Sequence, residues 1–261
     1  ATATGAPTEV QLWTDATFNG ASWQAVSAGE AYRWTLAPND GSQAVHVRFR
    51  DAAGNVSPPV NASITLDRAG PTGVSLVLAG GAAAVNSTSV TAALAATGAT
   101  QMRLSTDGTL DSESWTSFAA STLVTLPAPD GTKSVLAVTR DAAGNESAVA
   151  TAFVTLDRVA PVPGTPAGTI KENGAGFVST PNVPVVLSAT GADAMRVVCD
   201  GVTDNEPWVP YSTSYTCVLD ASNGLKTVSA SFRDAAGNVA GGTVDTTLLD
   251  TTPPASPVSS T

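Results

Sequence analysis

Apolar and polar residues alternate along most of this chain, the period-two pattern of strands with one face buried. Val90, Ala92 and Leu94 share a face, and Val183, Val185 and Leu187 repeat that face further on. Val10 and Leu12 are matched by Met102 and Leu104, and then by Met195 and Val197. Tyr32, Trp34 and Leu36 correspond to Thr122, Val124 and Leu126 and to Tyr215, Cys217 and Leu219. Val45, Val47 and Phe49 correspond to Val228, Ala230 and Phe232, and Ile64 and Leu66 to Val154 and Leu156. About seven short strands in each stretch of roughly 90 residues, with turn signals between them, predict an all-β fold of tandem Ig-like antiparallel sandwiches.

Short motifs keep the same register. ATGA begins at Ala3, Ala96 and Ala189, and RDAAGN runs from Arg50, Arg140 and Arg233. The pairs Leu66-Asp67, Leu156-Asp157 and Leu249-Asp250 each lead into a proline, Pro71, Pro161 or Pro254, and one Trp recurs per copy at Trp23, Trp115 and Trp208. Such self-similarity defines the fold unit. It predicts Ig-like domains over 1–69, 70–159 and 160–252, followed by a linker or tail over 253–261. In the first copy ATGA stands at the start, so the strands that precede it elsewhere are missing. Either the chain is cut within a domain, or a strand from another chain completes it. The closing DTTPPASPVSST reads as an interdomain linker, and hence the chain as an excerpt of a longer protein.

RDAAGN falls between two predicted strands, where four- and five-residue hairpin loops are built around a type I turn. Asp51, Asp141 and Asp234 are placed to accept backbone N–H groups within the turn. Gly54, Gly144 and Gly237 supply the positive φ, and Asn55, Asn145 and Asn238 tolerate left-handed geometry or bond back across the loop. A structural turn explains the motif without any nucleophile or base.

With 22 acidic and 12 basic residues the net charge is −10, which offers no basic stripe to a nucleic acid and suits a surface that meets divalent cations. No stretch reads as a signal peptide or a membrane span. The only histidine, His46, alternates with Val45 and Val47 and is expected to face solvent, which leaves Ser or Cys chemistry without a base; no enzyme is expected. Trp23, Trp115 and Trp208 are expected to pack, whereas Trp13 is unmatched, faces away from Val10 and Leu12, and is a candidate exposed aromatic. Asn61-Ala-Ser63 and Asn86-Ser87-Thr88 fit the glycosylation sequon.

Two further sites are expected. Cys199 and Cys217 align with Thr106 and Val124 on the inward faces of two strands, so they form either a disulfide or a pair of buried thiols, and a bridge would place the protein outside the cytoplasm. Acidic side chains cluster in the loop after the third strand: Asp107, Asp111 and Glu113, then Asp200, Asp204 and Glu206, with Asp15 and Asn19 in the first copy. Stacked head to tail, Asp107, Asp111, Glu113 and Asp157 would approach Asp234 and Asn238 and supply oxygen ligands for calcium between domains. The competing explanation is that acidic residues favour turns and keep surfaces soluble.

The order TDG…W…F…LPAPDGTKSVLAVTRDAAGNES…LDRVAP resembles the tandem Ig-like (fibronectin type III-like) repeats of large bacterial surface and secreted proteins, across the whole chain. The resemblance implies sandwiches strung end to end as stalks or adhesive arms, and no single ligand. The leading expectation is therefore a structural, adhesive or fibre segment of an extracellular or cell-surface protein. Its partners would be neighbouring Ig-like domains, with a surface glycan or another copy of the chain as further possibilities. The alternative is a carbohydrate-binding accessory module of a secreted enzyme. A row of exposed aromatics on one sheet separates the two.

Overall fold

The computed structural model describes residues 5–27, 29, 31–172, 176–202 and 206–256. Among these residues the chain is all-β apart from a single turn of 3-10 helix at Ala79–Gly81. In the first copy β1 (Pro7–Trp13), β2 (Gln24–Ala25), β3 (Gly41–Asp51) and β4 (Val60–Leu66) form one sheet, ordered β2-β1-β3-β4.

The second copy contributes β5 (Thr72–Leu78), β6 (Ala84–Val85), β7 (Ser89–Thr97), β8 (Gln101–Ser105), β9 (Thr116–Ser117), β10 (Ser121–Thr125), β11 (Gly131–Arg140) and β12 (Ala150–Leu156). A three-stranded sheet, β10-β7-β5, packs on a five-stranded one, β6-β12-β11-β8-β9. The third copy repeats this with β13 (Val162–Ile170), β14 (Phe177–Val178), β15 (Asn182–Thr190), β16 (Ala194–Val198), β17 (Val209–Pro210), β18 (Ser214–Val218), β19 (Gly224–Arg233) and β20 (Val239–Leu249). Its sheets are β13-β15-β18 and β14-β20-β19-β16-β17. Antiparallel ladders dominate, while the two-residue β6 and β14 pair parallel to β12 and β20. Two-residue strands close both edges of each five-stranded sheet, which leaves little free edge for unwanted pairing. This strand order is that of an Ig-like sandwich.

The alternating positions supply the cores. Leu76, Leu78, Val90, Ala92 and Leu94 meet Met102, Val135, Ala137, Val154 and Leu156 in the second copy. Val183, Val185, Leu187 and Cys217 meet Met195, Val197, Val228, Ala230, Phe232 and Leu249 in the third.

The first copy differs. Tyr32, Trp34 and Leu36 are half-buried and their neighbours are exposed, yet residues 31–37 form no strand. The equivalent β10 and β18 pair with β7 and β15, and among the described residues the first copy holds no counterpart of those two. A backbone without a ladder partner keeps its side-chain alternation and loses its strand. The inner face is open as well: Ile64 is 59% exposed, where its equivalent Val154 is 2%. His46 is half-buried rather than free in solvent, opposite Trp13 in the β1–β3 register.

The chain divides into two compact units. One comprises Ala1–Thr72, Gly98–Thr100 and Arg140–Ser147; the other comprises Gly73–Thr97, Gln101–Thr139 and Ala148–Thr261. The units therefore cut across the sequence repeats, and the second copy's RDAAGN turn belongs with residues 1–72.

Candidate functional site

The repeated turn has one geometry in all three copies. The Asp51 N–H donates to the Asn55 carbonyl (3.1 Å) and the Gly54 N–H to the Asp51 carbonyl (3.1 Å). Asp51 Oδ1 accepts the N–H groups of Ala53 and Asn55, each at 2.9 Å, and Oδ2 accepts Asn55 Nδ2 at 2.8 Å. Asn145 repeats both bonds to Asp141 at 2.9 Å, and Asn238 repeats them to Asp234 at 2.8 and 2.9 Å. The glycine that precedes the Asn carries φ of 88° to 95°, which an L side chain would strain. Hydrogen bonds from the Asn side chain, and then from backbone N–H groups, hold the Asp51 and Asp141 carboxyls below the usual carboxylate range.

In two copies the Asn side chain does more than close its own loop. Asn145 Nδ2 also donates to the Asp67 carbonyl at 3.0 Å, within the first unit. Asn238 Nδ2 donates to the Asp157 carbonyl at 2.8 Å, within the second. Each of these carbonyls belongs to the Leu-Asp pair that leaves the preceding repeat. Asp141 and Asp234 are 9% exposed and their Asn partners half-buried, whereas Asn55 is exposed. The linker backbone also comes close at Gly70, where a Cβ would lie 2.3 Å from the Glu146 carbonyl oxygen.

The linker is held from its other side too. Asp67, Asp157 and Asp250 each accept, through Oδ1, the N–H two residues on, at 3.1, 3.0 and 2.9 Å. Arg68 Nε donates to Asp40 Oδ1 at 2.7 Å, and Arg158 Nε to Asp130 Oδ1 at 2.6 Å. In the third copy Asn223 takes the Asp position and bonds Asp250 Oδ1 (3.1 Å) and Thr252 Oγ1 (2.7 Å). Sequence reasoning missed these partners, although Asp40 to Arg68 and Asp130 to Arg158 share a separation of 28 residues.

The recurring Trp residues pack against guanidinium groups. Arg50 lies 4.5 Å from the Trp23 ring centre, Arg103 lies 4.8 Å from Trp115, and Arg233 lies 4.5 Å from Trp208. In the first and third copies the first residue of RDAAGN, Arg50 or Arg233, thus covers the repeat Trp with a cation–π contact, a role the local reading of the turn left unassigned. Trp13, expected to be an exposed aromatic, is half-buried and meets Trp34 edge to face at 6.4 Å. Among the described residues the exposed large aromatics are Phe153 on β12 and Phe177 on β14, in two different sheets.

Of the six residues expected to gather around calcium, three meet. One carboxylate oxygen from each of Asp107, Asp111 and Glu113 lies within 4.8 Å of the others. Asp107 Oδ1 accepts the Ser105 hydroxyl at 2.6 Å and the Thr109 N–H at 3.0 Å; these bonds, the Ser105 one foremost, hold its carboxyl below the usual range. Glu113 Oε2 is buried without a hydrogen-bond partner. Asp157 and Asp234 do not join this cluster, and Asn238 spends its amide on the two of them. Calcium takes six to eight oxygens, so three carboxylates would need carbonyls or water to complete a sphere. Asp204 lies outside the described residues.

Cys199 and Cys217 form a disulfide with Cα atoms 5.5 Å apart. Cys217 lies on β18 and Cys199 follows β16, so the bond ties the two sheets of the third sandwich together.

No family model matches the sequence, and no curated protein does. Among solved structures, the fibronectin(III)-like modules of Clostridium thermocellum CbhA are 14% identical, over 67% of this chain and 93% of theirs, with a TM-score of 0.44. The BSP domain of a biofilm associated protein is 12% identical, over 82% of this chain and 43% of its own, with a TM-score of 0.24. A protein of the Bacteroides ovatus mixed-linkage glucan utilization locus, solved with a mixed-linkage heptasaccharide, is 15% identical, over 94% of this chain and 60% of its own, with a TM-score of 0.20. The chain spans less than two thirds of the last two.

Proposed function

We propose that this chain is a spacer segment of an extracellular or cell-surface protein: three Ig-like repeats, over 1–69, 70–159 and 160–252, joined at fixed junctions. The observation that carries this reading is the pair of bonds from Asn145 to Asp67 and from Asn238 to Asp157, which tie each exit linker to the turn of the next repeat. A linker with its carbonyl, its Asp carboxylate and its Arg all engaged is an ordered connection rather than a flexible tether. The disulfide supports an oxidising compartment. The repeat Trp rings, covered by Arg, are poor platforms for sugar stacking, which favours the spacer over the carbohydrate-binding module.

Force-extension measurement on the whole chain tests this reading. Each complete sandwich should open as a separate event of about 30 nm, from roughly 3.4 Å per residue over about 90 residues. The disulfide should shorten the third sandwich's event by about 6 nm, the length of the 18 residues it closes off. Continuous extension without discrete events would contradict it. Saturable binding on a glycan array, lost on Phe153→Ala, would favour the sugar-binding module instead.

This reading places calcium at Asp107, Asp111 and Glu113 and not at the junction. Excess calcium then raises the melting midpoint relative to chelator, and Asp111→Asn removes the rise. Equal midpoints in calcium and chelator would take the ion out of the reading.

A further inference from the structure

The first copy presents an apolar face that its sister copies cover. Val45, Val47 and Phe49 on β3 are half-buried and Ile64 on β4 is largely exposed, whereas Val135, Ala137, Val154 and Leu156 are 2% exposed or less. Beside this face a cleft of about 380 Å³ is lined by Pro7, Phe49, Asp51, Asn55 and Val56. Asn55 Nδ2 reaches only Asp51 among the described residues, although in both sister copies the same atom also holds a linker carbonyl.

Residues 66–97 fill both places in the second copy. The Asp67 carbonyl takes Asn145, and β5 and β7 bring Leu76, Leu78, Val90, Ala92 and Leu94 onto the inner face of β11 and β12. Residues 156–190 do the same in the third, with the Asp157 carbonyl on Asn238 and β13 and β15 over β19 and β20. Both sister copies thus cover the equivalent surface with the same kind of segment.

We propose that the open face and the Asp51–Asn55 cleft of the first copy form one docking site for a Leu-Asp-x-x-x-Pro segment followed by two apolar-alternating strands, supplied by another repeat of this type. The two parts constrain each other. Seating the Asp carbonyl on Asn55 sets the register, and a slip of one residue in either strand would turn its apolar side chains to solvent. A merely greasy face would accept any amphipathic strand, whereas this site selects by the motif that leads into it. The inference shares with the spacer reading the premise that repeats join through this turn, but its test does not depend on how the chain responds to force.

The test joins Leu66 to Ala95 directly ahead of Ala3, so that ATGA keeps its register. The added segment should reduce binding of the dye ANS several-fold, slow exchange at the β3 and β4 amides and raise the first unit's melting midpoint. Asn55→Ala should remove more of that midpoint in the extended chain than in the original one. A scrambled segment of the same composition should do none of this. If the extended chain does not fold, a peptide of residues 66–97 added to the original chain gives the same readout as a 1:1 saturable loss of ANS signal. Unchanged ANS binding and exchange in the folded extended chain, or no saturable effect of the peptide where that arm is used, overturns the proposal.

Discussion

Asn238→Ala is expected to destabilise the second unit by about 2–4 kcal/mol, because one truncation removes a hydrogen bond to a carboxylate and another, part-buried, to a backbone carbonyl. Asp234 is 9% exposed and its carboxylate would keep the Asn238 backbone N–H but lose the side-chain amide, while the Asp157 carbonyl would lose its side-chain donor. Asn145→Ala should act likewise on the first unit, through Asp141 and Asp67. Asn55→Ala should cost markedly less, since Asn55 is exposed and holds no linker. Urea denaturation of the three variants makes the comparison. Equal losses at positions 55 and 238 would mean that the linker bond contributes nothing and the motif is only a turn.

Replacing the disulfide by the residues that the second copy carries at the same places, Cys199→Thr with Cys217→Val, is expected to cost about 3 kcal/mol. This is the chain-entropy value for a closed loop of this size, here with a separation of 18 residues. The pair is chosen because Thr106 and Val124 already occupy the equivalent positions in a folded sandwich, so lost packing is kept small. Reduction of the native chain should give a similar loss. Denaturation that stays superimposable on the wild type under both treatments would show that packing alone holds the two sheets.

Much of this arrangement is legible in the residues, because a sandwich is coded locally. Alternation such as Val183, Val185, Leu187 or Val228, Ala230, Phe232 names the buried face directly, and these residues lie in the core. The inward parity of Cys217 also follows from its place between Tyr215 and Leu219. The strand over Tyr32, Trp34 and Leu36 misleads for a physical reason: periodicity records which side chains turn inward, not whether the backbone has a ladder partner. Trp13 misleads similarly, since no pattern reveals that Trp34 will pack on it.

The junction was the least legible part. RDAAGN reads as a closed turn in all three copies, and nothing in the six residues names the Asp67 and Asp157 carbonyls that Asn145 and Asn238 also bond. The carboxylates were expected to concentrate charge at that junction. Instead Asn amides occupy it, and the acidic loop gathers its own three carboxylates. Acidic side chains near a turn are often consumed by local N–H donors, as Asp157 and Asp234 are here, and then have little left for an ion.

Amide hydrogen exchange at the linker between the second and third repeats tests the central claim most directly. Arg158 N–H is held by Asp130 Oδ2 at 2.8 Å and Val159 N–H by Asp157 Oδ1 at 3.0 Å. In the wild-type chain both amides should exchange well below the rate of an unstructured peptide, and in Asn238→Ala their protection should fall by about tenfold or more, as local opening becomes easier. Linker amides that exchange at unstructured rates in the wild type, or that keep full protection without Asn238, would contradict a junction set by this turn.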